Sequence, residues 1–118
     1  MTGLKILNNL NLTFVQNFHC MIKRVVKLIF KEEEIENFEN LFQERKEKIR
    51  AFEGCMHLEL WQNKNNPKEF FTYSFWESEA HLNQYRHSDY FEETWTITKA
   101  MFDGKPMAWT VNGLEYLP

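Results

Sequence analysis

Cysteine is scarce in this chain. Cys20 and Cys55 are the only two among 118 residues, which is too few for a disulfide framework or a metal knuckle. We therefore predict two free thiols in a reducing compartment. None of the four histidines pairs with another at the short helical spacing of a metal site, so the sequence predicts no bound metal.

Long apolar runs are also missing. No stretch is long enough to cross a membrane. The weakly apolar residues 4–7 are interrupted at once by Asn8 and Asn9, and no small-residue cleavage site follows them. The sequence thus predicts no membrane partner and a cytoplasmic location.

Neither sign of charge dominates. Fourteen Lys and Arg stand against 17 Asp and Glu, for a formal net charge of −3, and the two signs are interleaved along the chain. No basic stripe marks a nucleic-acid surface. Nucleic acid is therefore not an expected partner.

The chain is rich in aromatic side chains, with eleven Phe, four Trp and four Tyr. Each ring buries a large area, so a small domain can use rings to build a dense core or to line an apolar cavity. The rings are densest from Phe70 to Phe91. This stretch begins as a β-prone run and passes at Ser78, a good helix N-cap, into a helical segment that carries Tyr85. Ser88 offers a second N-cap before another helical run. Such a strand followed by two short helices can wall a pocket.

The length predicts one domain. Residues 1–20 are Asn-rich and poor in charge, and we interpret them as an N-terminal extension: either an upstream or alternative start, or a segment that packs on the domain or its partner. From Met21 onward the alternation, helical periodicity and turn signals predict, in order, a strand at 22–31, a helix at 32–53, strands at 55–62 and 69–76 joined by a hairpin, helices at 78–87 and 88–102, and a strand at 107–111.

This order predicts an α+β fold, a ferredoxin-like split βαβ arrangement with a four-stranded antiparallel sheet and helices on one face. The third strand is apolar on both sides, with Phe71, Tyr73 and Phe75 on one face and Phe70 and Trp76 on the other. Because the helices can cover only one face, we predict that two sheets pack face to face in a homodimer.

Several sequence features together resemble a known family. They are the strand at 21–31, the helix end Ala51-Phe52-Glu53-Gly54-Cys55, the hairpin Asn65-Asn66-Pro67, the strand end Tyr73-x-x-Trp76-x-Ser78, and His87-Ser88-x-x-Phe91. With these features, residues 21–111 resemble the antibiotic biosynthesis monooxygenase (ABM) domain, a group of dimeric α/β barrels. The resemblance implies that residues 21–118 form an ABM-like domain.

The family it resembles is functionally mixed, and we consider three functions in order of preference: the first and third are implied by the resemblance, and the second is an alternative of a different class. The first is a cofactor-independent monooxygenase that oxidises a small aromatic, quinol or polyketide-like compound with O2. The second is a non-catalytic dimer that binds a small apolar molecule. The third is a haem-degrading monooxygenase. The chain shows no flavin or nicotinamide loop, and no cofactor is predicted.

Haem degradation is placed third because the working residues of that branch are incomplete here. Trp76 matches a Trp at the end of the third strand, but Lys27 occupies the position of an Asn on the first strand. No His follows His87, and Thr94 and Trp95 fall where the branch has one in its last helix. The usual axial ligand for iron is therefore missing, although His87 could substitute for it.

The predicted catalytic residues are His87 and Trp76. An imidazole titrates near neutral pH, so His87 is interpreted as a base or substrate anchor that faces the pocket. The alternative is a helix-end histidine bonded to a backbone carbonyl. Trp76 is interpreted as a pocket wall that also contacts substrate, and core packing is the alternative for it.

Tyr85, Phe91 and Arg24 are further predicted substrate contacts. Tyr85 and Phe91 are rings on the short helices. By alternation along the first strand, Arg24 shares a face with the apolar Val26 and Leu28, where a charge without a partner is costly. It is expected either to pair with Glu59 or to meet an anionic substrate.

His57 is the last predicted substrate contact. On an alternating strand it shares a face with Cys55, Glu59 and Trp61. It therefore reaches either the dimer interface or the pocket, and the interface is the preferred interpretation. Cys55 has no cation near it in sequence and is interpreted as structural.

Overall fold

The computed structural model describes residues 21–118. The predicted extension at residues 1–20, with Cys20, lies outside the described residues. Within them the elements are, in order, β1 (Ile22–Ile29), a 3-10 turn (Glu32–Glu34), α1 (Ile35–Arg50), β2 (Cys55–Gln62), β3 (Glu69–Trp76), α2 (Glu79–Arg86), α3 (Asp89–Lys99) and β4 (Met107–Asn112).

The strands form one sheet in the order β2-β3-β1-β4, and each neighbouring pair is antiparallel. This arrangement confirms the predicted ferredoxin-like α+β fold. The element boundaries differ from the prediction mainly at helix ends, where Glu32–Glu34 form a tight turn before α1 and α3 ends at Lys99. No helix among residues 21–118 is long and apolar enough to cross a membrane.

The sheet has two faces of different character. The inner face is turned toward the helices and carries Trp76, Ser74, Thr72 and Phe70 of β3. The registers place a second set of residues on the opposite, outer face: Lys23, Val25 and Lys27 of β1, His57, Glu59 and Trp61 of β2, Phe71, Tyr73 and Phe75 of β3, and Met107, Trp109 and Val111 of β4.

The core between the inner face and the helices is built largely from rings. Phe30 is fully buried and stacks on Phe38 of α1 with 4.1 Å between ring centroids, and Phe70 meets both rings edge-on. A second buried cluster joins Trp76 to Leu82 of α2. These two clusters fix the helical layer on the sheet, because each buried ring removes a large apolar area from water.

Two serines set the corner between the short helices. The backbone N–H of His81 donates to Ser78 Oγ at 3.2 Å, and the backbone N–H of Phe91 donates to Ser88 Oγ at 3.1 Å. Both serines are the N-caps that the sequence predicts, and each satisfies an orphan donor at its helix start. The second cap fixes where α3 begins and therefore where the ring of Phe91 points.

A bulge in β2 overturns one prediction about faces. Cys55 pairs with Trp76, while His57 pairs with the adjacent Phe75, so the register shifts between Cys55 and His57. The prediction that Cys55 and His57 share a face is therefore wrong. Cys55 lies buried on the inner face, where burial raises the pKa of its thiol, in agreement with a structural role.

Gly54 joins α1 to β2 in a conformation that other residues rarely adopt, with φ at +85°. A Cβ at this position would also overlap the ring of His81. Gly54→Ala is therefore expected to lower the free energy of unfolding by about 2–4 kcal/mol in urea titration, from backbone strain and from this contact.

A double-mutant cycle separates the two causes of that loss. In a His81→Gly background both the ring and the Cβ that a side chain at position 54 would overlap are gone and the strain remains, so Gly54→Ala should cost about 1 kcal/mol less there. If Gly54→Ala lowered the free energy of unfolding equally in both backgrounds, contact with the side chain of His81 would not be a reason for glycine at this position.

Candidate functional site

A cavity of about 350 Å³ lies between the inner face of the sheet and the helices. Its floor comes from Val26 and Leu28 of β1, Leu58 of β2, Thr72 of β3 and Ala108 of β4. The volume lies in the range of small-molecule sites. It is about twice the ~150 Å³ that accommodates benzene in an engineered core, so it suits a ligand of about two rings.

Aromatic side chains of α2 and α3 line the opposite side of the cavity. Tyr85 meets Phe91 edge-on at 5.1 Å between centroids, and Phe91 stacks on Trp95 at 5.9 Å. Phe91 and Trp95 stand four residues apart on α3 and so lie on the same side of that helix. A flat ligand can therefore lie against ring surfaces. Tyr85 and Phe91 line the cavity, and their contact with a substrate stays a prediction.

Trp76 lies one layer behind this wall. Its side chain is 1% exposed, its Nε1 donates to Ser74 Oγ at 3.0 Å, and its ring stacks on Tyr85 at 5.0 Å. It is not among the residues that line the cavity. The placement matches the core-packing alternative, with Tyr85 between the indole and the ligand space.

Tyr85 is held as a neutral phenol. Burial raises the pKa of its hydroxyl well above the usual range, and the neighbouring Cys55 and Tyr90 add smaller effects in the same direction. At neutral pH the side chain is therefore a ring surface with a hydrogen-bond donor and cannot act as a base.

One end of the cavity is cationic, because Arg24 of β1 and Arg86 at the end of α2 both line it. Arg24 Nη1 donates to Thr110 Oγ1 on β4 at 2.9 Å. Burial lowers the pKa of Arg24, and the positive charge of Arg86 lowers it further. Arg86 is exposed, so the cavity reaches solvent at this end.

Arg24 does not pair with Glu59, and that alternative from the sequence is wrong. Glu59 lies on the outer face, where its carboxylate is 2.6 Å from His57 Nε2 and accepts from Trp61 Nε1 at 3.1 Å. These contacts lower the pKa of Glu59. The sheet separates the two residues, because Arg24 is paired with Ser74 on the inner face.

His87 and His57 are not brought to the cavity. His87 is exposed at the end of α2, and its Nδ1 lies 2.7 Å from the carbonyl oxygen of Asn83. This is the helix-end alternative that the sequence left open. His57 packs on Phe75 at 4.7 Å on the outer face, the side of the sheet on which the sequence predicts a dimer interface.

The structure adds cavity residues that the sequence did not predict as substrate contacts. Arg86 joins Arg24 at the cationic end, and Trp95 extends the aromatic wall. Thr94 and Thr98 also line the cavity. Trp95 and Thr98 follow Phe91 at helical spacing, and that spacing is the signal that could have assigned them to the cavity.

Charged groups in the lining are limited to cations. Neither a carboxylate nor an imidazole of residues 21–118 lines the cavity. In the same range no cluster of three or more His, Cys, Asp or Glu side chains is arranged to hold a metal ion. The arrangement can bind a planar apolar molecule and stabilise a negative charge at one end of it.

Comparison with known proteins finds a family model, described as antibiotic biosynthesis monooxygenase, that matches residues 21–95. No curated protein sequence matches the chain.

Solved structures of the same fold include a conserved protein from Methanosarcina mazei, with 24% identity, 83% of this chain and 97% of that chain covered, and a TM-score of 0.79. A structure described as antibiotic biosynthesis monooxygenase is 19% identical, covers 80% and 99%, and has a TM-score of 0.75. SnoaB, described as a cofactor-independent oxygenase from Streptomyces nogalater, is 12% identical, covers 84% and 98%, and has a TM-score of 0.76. At these identities the likeness concerns the fold.

Proposed function

The chain belongs to the antibiotic biosynthesis monooxygenase family, and from this premise we propose that it oxidises a small aromatic or quinol-like compound with O2 without a bound cofactor. The observation that carries the proposal is the cavity of about 350 Å³ walled by Tyr85, Phe91 and Trp95, with Arg24 and Arg86 at one end. It offers ring surfaces to a planar substrate and a positive field to its anion.

The chemistry needs little from the protein. A bound phenol or enol loses a proton, and its carbanion form transfers one electron to O2. The radical and superoxide then combine in a C–O bond, the resulting peroxide anion takes up a proton from solvent, and the hydroperoxide loses water to leave a carbonyl. One oxygen atom ends in the product and the other in water, and all reducing electrons come from the substrate.

The chain's own groups would contribute positioning and electrostatics. The aromatic wall orients the ring system and excludes water from it. Two guanidinium groups favour the anionic substrate over the neutral one, which lowers the pKa of the bound phenol or enol. The proton leaves to solvent at the open end beside Arg86. In this scheme neither Trp76 nor His87 touches the substrate, and a catalytic role for either stays a prediction from the sequence.

A non-catalytic binding protein is the second candidate. The observation in its favour is the lack of a carboxylate or imidazole of residues 21–118 in the cavity lining, which leaves no general base there. Haem degradation receives no support from the cavity, since none of the described histidines lines it.

Assembly as a homodimer is part of the proposal. The outer face exposes Trp61, Met107, Trp109 and Val111, each at 41–50% of its surface, around the rings of Tyr73 and Phe75. An apolar surface of this kind on a small domain favours a self-complementary partner. The cytoplasmic location also stays a prediction.

Oxygen uptake tests the proposed activity. Chelator-treated protein, with no added metal or flavin, is expected to accelerate O2 consumption with one or more members of a panel of hydroquinones, naphthohydroquinones and anthrones. Isotopically labelled O2 should place one labelled atom in the product. Uptake at the buffer rate across the panel would contradict the proposal, and so would hydrogen peroxide as the sole reduced product. Binding without uptake would favour the second candidate.

A pair of variants on α3 links activity to the cavity. Phe91→Ala removes a ring from the wall and is expected to lower kcat/KM about tenfold, because an aromatic contact with substrate is lost. Ile97 lies on the same helix, is exposed and does not line the cavity. Ile97→Ala should therefore leave kcat/KM unchanged, and equal losses in the two variants would contradict the assignment of the site.

A further inference from the structure

The cationic end of the cavity brings together two guanidinium groups from distant parts of the chain. Arg24 projects from the inner face of β1, and Arg86 stands at the last turn of α2. Both line the same space, and their charges are close enough for Arg86 to lower the pKa of Arg24. Two like charges held together repel, so an anion between them would stabilise the pair.

No acidic side chain of the described residues neutralises this end. The carboxylates within residues 21–118 that form ion pairs engage other cations: Lys27 with Glu69, Arg45 with Glu93, His57 with Glu59, and Lys68 with Asp103. The first twenty residues contain neither Asp nor Glu. The positive charge is therefore local, in a chain whose formal net charge is −3.

Arg24 is also held in place rather than free at the surface. It is half-buried, its Nη1 donates to Thr110 Oγ1, and it is flanked on β1 by Val26, whose side chain forms part of the apolar floor. A guanidinium fixed at the edge of an apolar space presents its remaining donors to whatever occupies that space.

We propose that the cavity takes an aromatic carboxylic acid, with the carboxylate between Arg24 and Arg86 and the ring system against Phe91 and Trp95. Guanidinium forks match a carboxylate with paired hydrogen bonds. The ring walls and a volume of about two rings select an aryl body over an extended chain. One carboxylate leaves one net positive charge, which favours ionisation of a hydroxyl on the same ring.

The proposed ligand class extends the proposed function. Only the claim that the bound acid is the substrate rests on that function. Binding is tested separately from turnover. By calorimetry, a hydroxynaphthoate is expected to bind about 10- to 100-fold more tightly than the matching hydroxynaphthamide, which lacks the charge. The preference should shrink as salt rises, because the site opens to solvent at Arg86.

Further probes distinguish the chemistry of the ligand. A naphthyl phosphate reports whether any aryl anion suffices, and an aliphatic carboxylate of similar size reports whether rings are needed. We expect both to bind more weakly than the hydroxynaphthoate. Tighter binding of the phosphate or of the aliphatic acid, or equal binding of the acid and the amide, would overturn the proposal.

Variants assign the preference to the two arginines. Arg86→Gln lies at an exposed helix end and preserves the fold, and Arg24→Met keeps the length of the side chain without its charge. Each should weaken the hydroxynaphthoate about tenfold and leave the hydroxynaphthamide unchanged, whereas Arg24→Lys should restore part of the preference. Lys99→Met removes an exposed cation that does not line the cavity and should change neither affinity.

The outcomes separate this proposal from the proposed activity. A carboxylate preference that depends on both arginines, without any O2 uptake, would support the ligand class and reject the oxygenase. Uptake with neutral hydroquinones by a protein that binds the hydroxynaphthoate and the hydroxynaphthamide equally would support the oxygenase and reject the ligand class.

Discussion

Trp76→Ala is expected to lower the free energy of unfolding by about 3–5 kcal/mol, a large share of the roughly 5–15 kcal/mol of a small domain. The indole is 1% exposed, it packs in the cluster with Cys55 and Leu82, and it stacks on Tyr85. Its removal leaves a hole behind the aromatic wall that the sheet cannot close. Urea unfolding at fixed protein concentration measures the loss.

Two milder variants separate packing from hydrogen bonding. Trp76→Phe keeps a ring beside Tyr85 and should cost less than half as much as Trp76→Ala. Ser74→Ala leaves the indole in place but removes the acceptor of its Nε1–H, which should cost about 1–3 kcal/mol because a buried donor loses its partner. If Trp76→Ala cost no more than Ser74→Ala, the indole would not be the packing element described here.

Val25→Glu is expected to convert the proposed homodimer to a monomer. Val25 lies in the middle of the outer face, directly between Trp109 of β4 and Tyr73 of β3. In the proposed dimer the variant buries two carboxylates between these rings. Lys23 and Lys27 flank position 25 on the same face and offset part of the cost of burying a charge, so we expect a loss of about 3 kcal/mol. The dissociation constant should therefore rise by at least ~100-fold.

Sedimentation velocity at micromolar concentration measures this change. The wild type should sediment as a species of twice 14.4 kDa and Val25→Glu as one of 14.4 kDa. Ile97→Glu introduces the same charge at an exposed apolar residue of α3 and should remain dimeric. A monomeric wild type, or equal behaviour of the two variants, would show that the outer face does not mediate assembly.

Alternation along β1 and β3 was sufficient to predict both faces of the central strands. Arg24, Val26 and Leu28 lie toward the helices, and Tyr73 and Trp76 lie on opposite faces, as the period of two requires. The two serine N-caps could also be predicted from the sequence, because a serine hydroxyl before a helical run accepts a hydrogen bond from a backbone N–H in the first turn of the helix.

The same reasoning fails in β2, where a bulge adds one residue to one strand. Nothing in the residues from Cys55 to His57 marks it, because the shift depends on how β2 pairs with the end of β3. The bulge also changes which residues of β2 can reach the cavity. His57 and Glu59 lie away from the cavity, and the expected partner of Arg24 lies on the far side of the sheet.

The cationic end could not be predicted locally either. An arginine at the last turn of a helix is ordinarily explained by the helix dipole, and Arg86 occupies such a position. Only the packing of α2 over β1 brings it to Arg24. The position of His87 depends on the same corner between α2 and α3, which turns its ring toward solvent.

The central claim is that the cavity between the sheet and the helices binds the ligand. The most direct test is to fill the cavity with a side chain and measure ligand affinity. Thr72 lies on the cavity floor between Val26 and Leu60, on a strand that already carries large rings, so Thr72→Trp should fold and occupy the ligand space. Thr96→Trp, at an exposed position of α3, is the matched control. By calorimetry we expect Thr72→Trp to weaken hydroxynaphthoate binding by at least ~tenfold while Thr96→Trp binds as the wild type does. Wild-type affinity in a folded Thr72→Trp protein would place the ligand elsewhere and contradict this account.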